Sequence, residues 1–260
     1  MALLALENVG KTYVHGRHEV VVLQDISLEV DAGEFVTIYG GARSGKSILL
    51  RLAAGLERPT SGTVIFKGRD LFKRRRRRGL LGLLLGWLPE RVPRDGVDRD
   101  MAWVRLSGPS RKSWSMLEYV ALPLLDKRVN RKQAERQATE LLEEIGIDHL
   151  ARHTWRELTE TDRVLVTVAH AVIRRPALLV ADDVTRGLAP SDRQQVLALL
   201  RTRADAAGMA VLATTSDTRG YQRVSHRFMT LSDRHLVRAR PSPSGEVIPM
   251  PGLEARTDTA

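Results

Sequence analysis

Residues Gly40 to Ser47 read GGARSGKS and fit the pattern G-x-x-x-x-G-K-[ST]. A loop of this kind turns successive backbone N–H groups inward on phosphate oxygens, at the positive end of a helix dipole. Gly40, Gly41, Ala42, Arg43, Ser44, Gly45, Lys46, Ser47 and Ile48 are therefore the candidate nucleotide-binding residues. Lys46 is placed to reach terminal phosphates, and the Ser47 hydroxyl suits Mg²⁺. A glycine-rich turn matches this pattern by accident in roughly one chain in a hundred, judging from average Gly and Lys usage. The flanking residues lower that frequency further.

A phosphate loop needs a strand before it and a helix after it. Phe35 to Tyr39 reads as a short apolar strand, and Ile48 to Ala54 as a buried helix. Two apolar, partly alternating runs between Leu6 and Glu29 read as antiparallel strands, and Thr63 to Phe66 as another strand after a turn at Pro59–Gly62. Asn130 to Ile147 is an amphipathic helix with Ala134, Ala138, Leu141, Leu142 and Ile145 on one face, Asn130 as N-cap and Gly146 as the C-terminal glycine. Arg163 to Ile173 and Pro190 to Ala207 are further helices; Ala177 to Ala181 and the run MAVLATTSD are strands. Strands alternating with helices predict an α/β fold with an open, largely parallel sheet. Residues 73–100 hold a charge block (Lys73 to Arg78), an apolar run (Leu80 to Leu88) and a Pro/Gly/Arg/Asp-rich stretch, expected to form an irregular basic insertion. Residues 241–260 are expected to be a disordered tail.

The 260 residues allow one large or two small domains. Cysteine is absent, which excludes a disulfide frame, a thiolate metal site and a cysteine nucleophile. No signal peptide is evident, and the longest apolar stretch is about half the length that spans a bilayer; a cytoplasmic chain is expected. The net charge of +10 favours anionic neighbours, whether nucleotide, phospholipid headgroup or nucleic acid.

In this order the segments resemble the ATP-binding cassette (ABC) ATPases, and more narrowly the stand-alone subunits of lipoprotein-release and macrolide-export transporters. Leu6 to Leu71, Ser115 to Leu125, Arg174 to Pro190 and Val224 to Val237 carry the resemblance, which covers about residues 4 to 238. It implies a RecA-like P-loop NTPase core with an N-terminal antiparallel β-subdomain and an inserted helical subdomain at about 107–155, forming one domain over residues 1–240. It also implies Mg-ATP binding, head-to-tail pairing with a second ABC ATPase subunit (homo- or heterodimer), and a membrane permease that holds the chain on the inner face of the cell membrane. Tyr13 falls where the family stacks an aromatic on adenine, and Asp182 where a carboxylate holds Mg²⁺ through water.

Other family positions are occupied by the wrong chemistry. Arg43 replaces a glycine and Ile48 a threonine. Arg43 is either strained, if its φ is positive, or an added cation beside the phosphates. Asp183 stands at the catalytic glutamate position, one methylene short of the attacking water. A general base must sit within about 2.6–3.2 Å of the proton it takes. The glutamine of the Q-loop is missing, with Leu106 in the best register and no Gln between Gln24 and Gln133. Ser216 holds the switch-histidine position, with no His between His170 and His226, and Ala189 the D-loop aspartate position. The signature LSGGQ is Leu158 to Asp162, LTETD, which sets two carboxylates where an anion docks. The expectation is a nucleotide-binding transporter subunit with weak or absent hydrolysis. An active ATPase tolerating the substitutions and a non-hydrolytic regulatory or scaffold subunit are the alternatives. Contact of Lys73 to Arg78 with anionic lipid is a further expectation. Nucleic-acid work is disfavoured, because the basic block has no interleaved aromatics.

Overall fold

The computed structural model describes residues 2–16, 18–73, 98–104, 106, 108–125, 129–241 and 247–249. Its strands are β1 (Leu4–His15), β2 (His18–Val30), β3 (Phe35–Tyr39), β4 (Ser61–Phe66), β5 (Arg69–Asp70), β6 (Met101–Val104), β7 (Leu178–Asp182), β8 (Ala210–Thr215), β9 (Arg227–Ser232), β10 (His235–Pro241) and β11 (Val247–Pro249). The α-helices are α1 (Lys46–Ala53), α2 (Met116–Ala121), α3 (Arg131–Glu144), α4 (Glu160–Val172), α5 (Pro190–Ala207) and α6 (Tyr221–Val224).

The strands form two sheets. An antiparallel one runs in the order β2-β1-β4-β5, and a seven-stranded one in the order β11-β10-β9-β3-β8-β7-β6. In the second sheet β6, β7, β8, β3 and β9 pair in parallel, while β10 and β11 close one edge antiparallel. Both faces of the parallel strands are buried, so they read as continuous apolar runs. Alternate residues still go to different cores, as a period of two requires. Val36, Ile38, Leu178, Val180, Ala210 and Leu212 face a core built with β1, β2, β4 and α1. Phe35, Leu179, Ala181, Val211 and Ala213 face one built with α2 to α6. Gly62 opens β4 at φ 77°, where a Cβ would lie 2.3 Å from the carbonyl of Asn8, so only glycine lets β4 close on β1.

The expected helix after Asn130 is α3. The Asn130 side chain accepts from the Gln133 N–H at 2.9 Å, and Gly146 lies at φ 72°. Of its apolar face, Ala134, Ala138, Leu141 and Leu142 are buried, and Ile145 packs partly buried against them. α2 starts on a capping box, Ser115 with Glu118.

One expectation needs correction. Residues 247–249 pair antiparallel with β10, so the segment expected to be disordered contributes a strand at the sheet edge. Met101–Val104, which directly follows the expected insertion, is β6, paired in parallel with β7. Arg74 to Arg78 and the apolar run to Leu88 lie outside the described residues. Among the described residues no helix is long and apolar enough to cross a membrane.

Candidate functional site

Parallel strands carry their sites at their carboxyl ends. Here β3, β7 and β8 end level with one another, Tyr39 beside Thr215 and Thr214 beside Asp182. The loop after β3 is therefore held against the residues that follow β7 and β8. The Gly40 N–H donates to the Thr215 carbonyl at 3.2 Å, and the Asp183 N–H to the Thr214 carbonyl at 3.1 Å.

The loop itself has the conformation that phosphate binding needs. Gly45, at φ 99°, is the N-cap of α1 and supplies no side-chain cap, so the N–H groups opening the helix stay available to an anion. A Cβ at Gly45 would meet Val22 at 3.1 Å and Leu23 at 3.2 Å on β2. A Cβ at Gly40 would meet the Ser44 hydroxyl at 2.6 Å. Arg43 sits at φ 62°, so an arginine occupies a left-handed position that favours glycine. Its side chain is exposed and forms no ion pair among the described residues. Strain is thus present at this residue, and among the described residues no contact gives the guanidinium a role within the chain. Gly41, Ala42 and Ser47 are exposed; Ser44 and Ile48 are half-buried.

Lys46 is buried, and its Nζ donates to the carbonyls of Gly40 and Gly41, both at 2.7 Å. A phosphate oxygen can replace either carbonyl as the acceptor of this ammonium. Burial depresses its pKa, the carboxylates of Asp183 and Asp182 push it back up, and the Arg186 guanidinium depresses it further. The structure therefore gathers Lys46, Asp182, Asp183 and Arg186 around the loop. Arg186 is the member that sequence reasoning passed over, although a cation four residues after a strand-end aspartate is a signal in the sequence.

Asp182 accepts from the Thr214 hydroxyl on Oδ1 at 2.7 Å, and its second oxygen has no such bond among the described residues. An exposed hydroxyl at Ser47 and this free carboxylate oxygen are hard donors of the kind Mg²⁺ takes. Among the described residues no group of three or more His, Asp or Glu is assembled to hold a metal. That fits an ion held by few protein groups together with water and substrate phosphates.

Asp183 lies at φ 48° with both carboxylate oxygens engaged by Ser216. The Ser216 N–H donates to Oδ1 at 3.3 Å and the Ser216 hydroxyl to Oδ2 at 2.9 Å. The residues expected at the glutamate and histidine positions, Asp183 and Ser216, thus face each other. Leu106 is 49% exposed just beyond β6 and offers no polar group. Ala189 is the N-cap of α5 without a side-chain bond.

Tyr13 is not joined to the loop. Its hydroxyl donates to Glu57, and Lys11 Nζ lies 5.0 Å from its ring centroid. Lys11 and Arg51 also pair with Glu57, at 3.0 and 2.8 Å. The ring is 37% exposed, so a face remains for stacking.

The signature residues stand apart from this cluster: among the described residues no hydrogen bond or ion pair links Thr159 to Asp162 with the loop. Instead they form a capping box at the start of α4. The Thr159 hydroxyl donates to Asp162 Oδ2 at 2.7 Å, and the Asp162 N–H donates to that hydroxyl at 3.1 Å. A carboxylate of the chain occupies the helix start where an external anion would bind.

A phosphate loop at the carboxyl edge of a parallel sheet, beside a strand-end aspartate pair, defines a P-loop nucleotide-binding domain. The model for the family "ABC transporter" matches residues 23–186. The lipoprotein-releasing system ATP-binding protein LolD of Pseudomonas syringae pv. tomato is 33% identical over 239 residues, 92% of this chain and 98% of that one. The protein of the same name from Syntrophotalea carbinolica is 31% identical over 86% of this chain and 94% of its own. Among solved structures, the fold is similar to the dimeric ATP-binding cassette MJ0796 bound to ADP and Pi, with a TM-score of 0.74 and 24% identity over 90% of this chain and 97% of that one. The chain belongs to the ABC transporter family, as a cassette with a RecA-like core, an N-terminal antiparallel sheet and an inserted helical part.

Proposed function

We propose that this chain is the nucleotide-binding subunit of a membrane transporter that holds ATP with Mg²⁺ and hydrolyses it slowly or not at all. The observation that carries the reading is the contrast at one sheet edge. The phosphate loop keeps Lys46 and an uncapped helix start. The group that should activate water is a short carboxylate spent on Ser216.

On binding, Lys46 exchanges the carbonyls of Gly40 and Gly41 for phosphate oxygens. The N–H groups from Gly45 to Ile48 donate to the same phosphates, with Gly40 to Ser44 shaping the loop around them. The Ser47 hydroxyl and Asp182 would hold the metal, and Tyr13 would stack on the adenine. Bound Mg²⁺ supplies neutralisation of the phosphate charge. Asp183 is too short and too engaged to take a proton from water. Without a positioned base a factor of about 10²–10⁴ is lost. The missing glutamine and histidine remove further groups that act as a unit with it.

The relatives' names support a partner as well: they are ATP-binding proteins of a lipoprotein-releasing system. We assign this chain a membrane permease as partner, peripheral attachment to the membrane through it, and a second cassette, which the dimeric MJ0796 structure favours.

The test is to measure binding and turnover on one preparation. ATP at about a hundredfold over its Kd should stabilise the chain by about 2.7 kcal/mol, read as a raised Tm. Lys46→Ala should abolish that shift, and phosphate release should stay at background in both proteins. Turnover at about 1 s⁻¹ or more that disappears in Lys46→Ala would overturn the reading.

A further inference from the structure

A cleft of about 920 Å³ opens between α3, the end of α4 and the end of α5. Arg175, shortly before β7, and Met209, directly before β8, both line it, so it lies at the amino ends of the parallel strands, opposite the phosphate loop. Its size is within the range of about 300–1,000 Å³ that small-molecule sites take. The floor is apolar: Leu141, Val172 and Met209 line the cleft and are buried. Around it stand four arginines and two glutamates. Arg136 pairs with Glu140 at 3.5 Å and Arg203 with Glu144 at 2.7 Å, which uses up both carboxylates. Arg174 and Arg175 are exposed, and their side chains make no hydrogen bond or ion pair among the described residues. Arg175 sits at φ 52° in the turn that ends α4, a left-handed conformation that costs a residue other than glycine.

Arginines near helix C-termini answer the helix dipole, a local role that needs no ligand. That role does not account for Arg203, whose Nε is buried without an acceptor among the described residues although its Nη1 donates to Glu144. A buried donor left unmet marks a missing partner. The guanidinium is a planar fork that takes carboxylate or phosphate oxygens in pairs. We propose that this cleft binds an organic anion with an aliphatic body, its head a carboxylate or a phosphate monoester. Arg174 and Arg175 hold the head, and Arg203 turns its Nε edge to it while Nη1 stays on Glu144. The body lies over Leu141, Val172 and Met209, where apolar surface leaves water. An occupied cleft ties α3 to α5 and to the turn after α4.

Calorimetric titration of the full chain tests this, with octyl phosphate and octanoate, each below its micellar concentration. One or both should bind roughly tenfold or more tighter than inorganic phosphate and than octanol, because head and body contribute together. The tighter of the two identifies the headgroup. Octyltrimethylammonium, which has the same body and the opposite charge, should not bind. Arg174→Glu with Arg175→Glu should weaken binding by roughly ten- to a hundredfold, the loss of hydrogen bonds to a charged group. Ala206→Trp fills the cleft from an exposed position on α5, leaves every arginine in place, and should weaken binding comparably. Lys46→Ala should leave the affinity for octyl phosphate unchanged, since the phosphate loop is at the other end of the sheet. Circular dichroism of each variant shows that it is folded. Binding no tighter than that of inorganic phosphate or of octanol, equal binding of octyltrimethylammonium, full affinity in the charge-reversed or the filled variant, or loss of binding in Lys46→Ala would each overturn the proposal.

Discussion

Asp183 and Ser216 hold the chemistry of the site at the residue scale. The Ser216 hydroxyl and N–H both point at the aspartate, at 2.9 and 3.3 Å, so each residue satisfies the other and neither is left to direct a water. Asp183→Glu restores the missing methylene, and Ser216→His replaces the hydroxyl that occupies it with an imidazole. The double variant should raise phosphate release by at least about tenfold, within the 10²–10⁴ range of a positioned base. Each single variant should gain less, since groups acting as a unit are non-additive. A double variant as inert as the wild type would place the defect elsewhere, first at Leu106. The loop, Asp182 and Asp183 were legible in the sequence because phosphate binding fixes residue type and spacing over a few neighbours. At Arg43 the sequence left strain and an added cation as alternatives, and its φ of 62° is set by the fold of the loop. What the sequence withheld were contacts between distant segments. The bond between Asp183 and Ser216 spans 33 positions, and that between Tyr13 and Glu57 spans 44.

At the scale of elements, long and strongly patterned segments could be read, and short ones could not. α3 and α5 have caps or an N-terminal proline to mark their ends, and β3, β7 and β8 are buried, mostly apolar runs. β6 has four residues and exists because β7 offers it an edge. β11 has three, including a proline tolerable only at a sheet margin. Pairing of this kind is a tertiary effect that local propensity does not carry. The start of α4 shows the opposite case, because there a local motif overrides the role expected at its position. Thr159 and Asp162 satisfy each other and the first N–H groups of the helix. Thr159→Ala should therefore cost about 0.5–2 kcal/mol, read as a lower urea midpoint with an unchanged slope. Glu160→Ala, which loses no bond within the chain, should stay within about 0.5 kcal/mol. Equal losses in the two variants would mean that the cap contributes nothing beyond helix propensity.

Stability of the whole molecule depends on two cores that share one sheet, and two titrating groups report on it from different places. His170 stacks on Tyr119 with ring centroids 4.2 Å apart, and its Nδ1 lies 2.7 Å from the Tyr119 carbonyl, so it ties α4 to α2. Burial depresses its pKa more than that contact restores it. The folded state therefore resists protonation that the unfolded chain accepts below about pH 6.5. Its contribution is full above that pH and is lost as pH falls towards the depressed folded value. Asp217 follows β8 and accepts from Arg193 on α5 at 2.6 Å and from Arg219 at 2.7 Å. The hydrogen bond from Arg219 holds its carboxyl far below the usual range, with Arg193 adding to the effect against partial burial. This contribution is present above the unfolded carboxylate pKa of about 3.9 and disappears as pH falls below it. Unfolding free energy should accordingly decline in two stages on acidification, the first beginning near pH 6.5 and the second near pH 4. His170→Gln should flatten only the first and Asp217→Asn only the second, measured by urea titration at a series of pH values. A wild-type curve level from pH 7 to pH 5 would show that His170 charges as easily in the fold as outside it, and that α2 and α4 do not shield it.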